Sequence, residues 1–280
     1  MSSTGNTSTE DSGNGDLVDG RRRFASVGEG SPAPAVIRAA AILDALEAVG
    51  GEPLGVSDLA RSLGIAKSST SHLCQALEKT RLIQRRENGY VLGRRTIELA
   101  GAYLAGFDEV RSFYELCSRT VALREHVVQI AMLDGTEVLY LARYEGRSRF
   151  RLAANIGDRF PAALTATGQA LLAALPPAEV ARLFRGVDIP HLTDTSLSGM
   201  TALRARLAKA RADGYAFDDE GVHPGVVGLA VRLNPRHAGG AMLSLGVTVL
   251  KPLATEANLA ELLGELKSVA AALSNPLIFT

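Results

Sequence analysis

The sequence predicts an α+β protein. An N-terminal winged helix-turn-helix is joined by a linker helix to a larger domain, a mostly antiparallel sheet flanked by helices. Three observations carry this. Residues 57–92, SDLARSLGIAKSSTSHLCQALEKTRLIQRRENGYVL, read as helix, tight turn, helix and β-hairpin. From residue 126 the hydrophobic period changes from helical to alternating. Strands and helices then follow one another without a repeated βαβ unit or any internal repeat.

Composition sets the bounds. The 280 residues suffice for two cores, and 46% hydrophobic with 21% charged residues is ordinary for a globular protein. No apolar run approaches the ~20 residues of a membrane span. The N-terminus lacks the apolar core of a signal peptide, so a cytoplasmic location is expected. Cys74 and Cys117 have no short spacing, form no zinc motif or disulfide framework, and are expected inside or beside helices. Net charge is zero, but it is unevenly spread. From Lys79 to Arg95, six basic residues (Lys79, Arg81, Arg85, Arg86, Arg94, Arg95) face one acid, Glu87. Residues 107–280 balance at eighteen of each sign. A basic stripe beside a neutral domain fits a modular DNA binder, although a solvated surface cluster explains it equally well when taken alone.

In chain order, residues 1–34 are Gly, Ser, Thr, Asp and Asn with little apolar content, and are expected to be disordered. Arg21-Arg22-Arg23 within them read as a plain charged tail. Residues 35–50 form an amphipathic helix ended by Gly50-Gly51. Ser57 is a candidate N-cap for the next helix. Leu59, Ala60, Leu63, Gly64 and Ile65 carry the helix-turn-helix signal: Ala60 is small where helices cross, and Gly64 supplies a positive φ. Leu59, Leu63, Ile65, Thr70 and Leu73 fall on buried positions. The second helix, about 67–79, presents short polar groups that reach phosphates and base edges. The candidate DNA contacts are Lys67, Ser68, Ser69, Thr70, Ser71, His72 and Gln75. Asn88-Gly89 between alternating runs signals a hairpin over 82–92, a wing with Arg85, Arg86 and Asn88 at or near its tip.

The winged domain is thus expected over 35–93 and a linker helix over 94–107, too apolar to stand alone in water. A further helix follows over 108–124, opening the second domain, 108–280. There VVQIAML and EVLYLARY form a hairpin through Asp134-Gly135, with a third strand expected at Phe150–Ala154. Helices are expected at Ala162–Leu175, Pro176–Arg185, Thr201–Asp213 and Thr255–Ser274, and strands at Tyr215–Phe217, Val226–Leu233 and Ala241–Val249.

The sequence resembles the IclR family of bacterial transcriptional regulators over about residues 35–275. GIAKSSTSHLCQALEKTRLI resembles the family's recognition helix, and GYVLGRRTIELAGAYL its wing and linker helix. FPAALTATGQALLAALP and GYAFDDEGVHPGVVGLAV resemble two segments of its effector domain. The resemblance implies a GAF-like domain that binds a small molecule, and dimers or dimers of dimers on palindromic double-stranded DNA operators, acting as repressors or activators of catabolic operons. It also implies pocket positions. Backbone N–H groups of Ala166 and Thr167 would hold a carboxylate, and Asp218 would be a polar contact. Gly228, Ser244 and Gly246 stand at positions that are often polar, and Leu152, Phe160 and Val226 would be apolar walls. Two of these polar positions are glycine here, which leads us to expect a larger, less polar ligand such as an aromatic or branched acid or amide. His72 stands where arginine is common, which implies a different operator.

Two other function classes are weighed. An enzyme fused to a DNA-binding domain lacks support: His126, His191, His223 and His237 have no metal spacing, no GxSxG elbow occurs, and TATGQA is not a P-loop. No cofactor or metal motif is present, and Asp218-Asp219-Glu220 reads as a turn with one inward carboxylate. The remaining class is a DNA binder whose second domain only oligomerises.

Overall fold

The computed structural model describes residues 31–147, 154–236 and 239–275. The expected tail up to residue 30, Leu152, His237 and nearly all of the strand expected at 150–154 lie outside these residues.

Helix α1 (Pro34–Ala48) begins with a proline, which costs nothing where the N–H has no helical partner, and buries Ala41, Ile42 and Leu46. Helix α2 (Val56–Leu63) is capped by Gly55, whose carbonyl accepts from the N–H groups of Asp58 and Leu59. Ser57 therefore falls inside the first turn and caps nothing, which corrects the expectation from sequence. Gly64 ends α2 at φ 64°, the left-handed conformation expected of it. Helix α3 (Lys67–Lys79) has the bounds read from the sequence. Ile42, Leu46, Leu59, Cys74, Leu77, Ile83 and Tyr90 close into one core among these helices and the wing.

The wing is β1 (Ile83–Arg86) paired antiparallel with β2 (Gly89–Leu92). Arg86 opposes Gly89, so the turn is centred on Glu87-Asn88, one residue earlier than the Asn-Gly signal implied. Gly89 is required for a different reason. Leu54 and Tyr90 exchange backbone hydrogen bonds, and a Cβ on Gly89 would lie 2.3 Å from the Leu54 carbonyl oxygen.

Helix α4 (Arg95–Leu104) buries none of its residues, and Ile97 is 75% exposed. Helix α5 (Asp108–Arg119) ends before the expected residue 124, because Thr120 is extended; a 3-10 turn, Leu123–Glu125, follows. The second domain continues with β3 (Val127–Asp134), β4 (Glu137–Tyr144), β5 (Arg159–Pro161), α6 (Ala166–Leu172), α7 (Pro177–Leu183) and α8 (Gly199–Asp213). It closes with β6 (Ala216–Asp219), β7 (Val226–Arg232), β8 (Leu243–Leu250) and α9 (Glu256–Leu273). Six strands form one antiparallel sheet in the order β5-β4-β3-β8-β7-β6. Among the described residues, β5 takes the place of the third strand expected at 150–154.

Side-chain alternation divides the sheet between two cores. Val128, Ile130, Leu229, Val231, Leu245 and Val247 pack against Phe113 and Cys117 of α5 and Leu262 and Leu266 of α9. The opposite face carries smaller residues, Ala131, Ala216 and Ala230, against which α6 and α8 lie. The small side chains let α6 approach the sheet closely, and that approach shapes the cavity described next. Cys74 and Cys117 are both buried thiols, and burial pushes Cys117 up to about 12. Among the described residues, no helix is long and apolar enough to cross a membrane.

Candidate functional site

Two surfaces carry the chemistry. The first is the outer face of α3. Lys67, Ser68, His72 and Gln75 are exposed, and Ser69 and Ser71 are half-buried beside them. Ala66 precedes the helix without a side-chain cap, so the first N–H groups of α3 remain available to an anion such as a phosphate. Thr70 does not belong to this face. It is fully buried, and its hydroxyl donates to the Ala66 carbonyl at 3.1 Å, so its place among the DNA contacts is corrected to a core position. On the wing, Arg85, Arg86 and Asn88 are exposed. Arg85 is braced by Tyr90: its Nη2 donates to the phenol oxygen at 3.1 Å, and its guanidinium lies 5.2 Å from the ring centroid. Arg81, exposed at φ 62°, turns the chain from α3 into the wing.

The second surface is a cavity of about 60 Å³ between the first turn of α6 and the sheet. The register explains which residues meet there. Asp218 of β6 lies opposite Gly228 of β7, which lies opposite Thr248 of β8. The neighbouring row runs Ala230, Gly246, Gln129. Phe160, Ala166, Thr167, Asp218, Val226, Gly228 and Gly246, seven of the residues expected from the resemblance, line this one space. Ser244 does not. It sits one row further along β8, fully buried, with its hydroxyl directed at the Ala131 carbonyl.

Five polar or aromatic lining residues escaped the sequence reading: Gln129, Tyr140, Thr165, His223 and Thr248. Gln129 was legible as the one polar residue inside the apolar run VVQIAML, and Thr248 follows Gly246 at the two-residue period of a strand face. The Tyr140 hydroxyl pairs with the Thr167 hydroxyl at 3.0 Å. Gln129 Nε2 donates to the Ala154 carbonyl at 3.1 Å, and Gln129 Oε1 accepts from the Thr248 hydroxyl at 3.1 Å. Thr165 caps α6 by accepting from the Gly168 N–H at 3.0 Å. His223 closes one side, its ring set edge-on to Phe160 at 5.8 Å.

Burial dominates the electrostatics. It raises the Asp218 carboxyl to about 7, even though the Gly221 N–H donates to Oδ1 at 2.9 Å and favours the charged form. Burial also raises Tyr140 to about 12 and lowers His223 below its ordinary value. Asp219 and Glu220 point away from the cavity and pair with Lys251, so only the first carboxylate of the run faces inward, as expected; Asp218 and Asp219 belong to strand β6, however, and not to a turn, because both pair with β7.

The two glycines do not enlarge the cavity, which corrects the reason for expecting a bulky ligand. A Cβ on Gly246 would lie 2.6 Å from Thr167 Cγ2, and one on Gly228 would lie 3.1 Å from Ala166 Cβ. The volume released by the missing side chains is occupied by α6. Gly246→Ala should therefore destabilise by about 1–3 kcal/mol through overpacking against a β-branched neighbour. Adding Thr167→Ser, which deletes Cγ2, should recover most of that loss in thermal melts.

Known proteins fit this arrangement. The IclR helix-turn-helix domain model matches residues 35–87, and the model of the bacterial transcriptional regulator IclR C-terminal domain matches residues 108–275. The HTH-type transcriptional regulator XynR of Escherichia coli K12 is 31% identical over 249 residues, covering 86% of this chain and 96% of its own. The crystal structure of the Agrobacterium tumefaciens repressor BlcR is similar at a TM-score of 0.56 and 30% identity, covering 89% of this chain and 99% of its own. An IclR homologue from Microbacterium hydrocarbonoxydans, solved in complex with 4-hydroxybenzoate, shares the fold at a TM-score of 0.72 and 22% identity, covering 86% of this chain and 97% of its own. With both of its halves matched in order, the chain belongs to the IclR family of DNA-binding bacterial transcriptional regulators.

Proposed function

We propose that the chain is a ligand-responsive repressor of a catabolic operon, reading a palindromic operator through α3 and the wing over 82–92 and sensing a small carboxylate- or amide-bearing metabolite in the sheet cavity. The observation that carries this reading is the polar, unfilled cavity beneath α6, on the same chain as an exposed polar recognition helix. A domain that only oligomerised would have no need to leave Tyr140, Gln129 and Asp218 around an open space. Repression is the sign favoured by the similarity to BlcR, a repressor.

The DNA-binding set is Lys67, Ser68, Ser69, Ser71, His72 and Gln75 with Arg85, Arg86 and Asn88. The chain acts as a homodimer or a dimer of dimers. Ile97, Leu99 and Tyr103 of α4, all more than half exposed, support pairing through the linker. Effector binding changes how subunits sit, hence the separation of two recognition helices. Operator affinity falls when that separation departs from ~34–36 Å or a multiple of it. In the cavity, the N–H groups of Ala166 and Thr167 face the ligand. Among the described residues neither has a backbone acceptor. At its present volume the cavity suits a molecule of a few heavy atoms. An aromatic acid, as in the 4-hydroxybenzoate complex of the homologue, requires Phe160 and His223 to swing outward.

The test is direct. Arg86→Ala should weaken binding to a duplex from the DNA flanking the gene and lower the slope of log affinity against log salt by about 1, as expected for one lost phosphate contact. Fluorescence anisotropy across a salt series measures this. An unchanged slope and affinity would remove the wing from the interface.

A further inference from the structure

Among the described residues, the cavity combines a single carboxyl with spare donors, and neither lysine nor arginine lines it. Tyr140 and Thr167 share one hydrogen bond between two hydroxyls, which leaves one hydroxyl hydrogen for a ligand. The Thr165 oxygen accepts from Gly168, and Gln129 Nε2 uses one of its hydrogens on Ala154. Asp218 stands across this space: a point one bond above Gly228 lies 3.7 Å from Asp218 Cβ and 3.1 Å from Ala166 Cβ. Unused donors call for a carbonyl or carboxylate oxygen. A carboxylate, however, would share a buried site with ionised Asp218, and two like charges in one site cannot both persist.

The positive charge of Arg206 favours ionised Asp218, but burial outweighs it. Next to it in the chain, Asp219 and Glu220 are acids that Lys251 already engages. From α8, Arg206 donates through Nη1 to the Phe217 carbonyl at 2.7 Å. From β4, Tyr140 faces it as a neutral phenol, with Asp158 beyond as a further acid. From the turn before β7, His223 is an imidazole whose protonation is disfavoured by burial.

We propose that the cavity takes small monocarboxylates with uptake of one proton by Asp218, so that the ligand is held as an acid–carboxylate pair and not as a lone buried anion. The inference rests on the cavity being the effector site. The proton comes from solvent and adds to an Asp218 carboxylate oxygen, and no bond in the ligand changes. The protonated carboxyl then donates to the ligand, while the hydroxyls of Thr165 and of the Tyr140–Thr167 pair donate from the other side. A dicarboxylate brings a second charge that none of the described lining residues balances, so it is excluded. Burial above all raises the Asp218 carboxyl to about 7, and a neighbouring anion raises it further. Uptake is therefore small at pH 5.5 and approaches one proton at pH 8. Affinity falls by up to about tenfold per pH unit above 7, until the raised value of the complex is passed.

Isothermal titration calorimetry of the full chain tests this with propionate and pyruvate as monocarboxylate probes, and oxalate and propionamide as controls. Measurements at pH 8 in HEPES and in Tris, whose ionisation enthalpies differ, count the protons taken up per ligand bound. The expected result is close to one proton for the monocarboxylates, none for propionamide, and no binding of oxalate. Asp218→Asn, whose amide still donates, should bind the monocarboxylates with no proton uptake and no pH dependence. His223→Gln should retain the uptake per mole bound. Monocarboxylate binding without uptake, or uptake abolished by His223→Gln and kept by Asp218→Asn, overturns the proposal and leaves the effector site standing. Binding of propionamide alone overturns it in favour of neutral ligands. Failure of every probe to bind overturns both the proposal and the effector reading of the cavity.

Discussion

Asp218→Asn is expected to stabilise the folded chain at neutral and alkaline pH, and the gain should vanish in acid. The carboxyl titrates near 3.9 in an unfolded chain and at about 7 in the fold. Its folded value is raised, so the native state holds a proton that the unfolded state has released between those limits. Stability therefore falls as pH rises from about 4 to about 7, by ~1.4 kcal/mol per unit, and is flat beyond. The asparagine variant escapes this penalty and can still accept the Gly221 N–H through its amide oxygen. The predicted difference in unfolding free energy is near zero at pH 4 and up to about 4 kcal/mol at pH 8, with the partial exposure of the site reducing it. Urea melts across that range measure it. A difference independent of pH would mean that Asp218 is not held in the uncharged form.

The second large effect lies in the small N-terminal core. Leu59 is fully buried between α1, α3 and the wing, in a core that shares no residue with the two cores of the second domain. Leu59→Ala should cost about 2–5 kcal/mol through lost burial and the cavity left behind. In a domain of this size that is a large part of total stability. Operator binding should disappear at physiological temperature while the second domain keeps its melting transition. Calorimetry would show the first transition moving down alone. A single transition shifted as a whole would show instead that the two domains unfold as one unit.

The DNA-reading half was largely legible in the sequence because its signals are local. Gly64 needs a positive φ, α3 has an apolar face at helical spacing, and the two short strands of the wing flank a polar turn. The misreadings there are local too. Ser57 resembles a cap, but Gly55 opens the helix. Asn88-Gly89 resembles a turn centre, but Gly89 leaves room for the backbone of Leu54, a contact between residues far apart in sequence. The cavity was legible only in part. Asp218, Ala166 and Thr167 came from motif resemblance, whereas Tyr140, Gln129 and Thr248 join them only through strand register. The size of the cavity was misjudged because a glycine in sequence indicates absent atoms, and only the packing reveals that α6 fills their place.

Coupling between the cavity and the DNA face is the central proposal, and one equilibrium experiment tests it. Affinity for duplex DNA from the region flanking the gene should be measured by fluorescence anisotropy with and without a saturating cavity ligand. Affinity for that ligand should then be measured with and without the duplex. Linkage requires the two ratios to be equal, with a factor typically between about 5 and 150. Equal ratios are the expected result, and Asp218→Asn should make them independent of pH. An operator affinity unchanged by a filled cavity would contradict it.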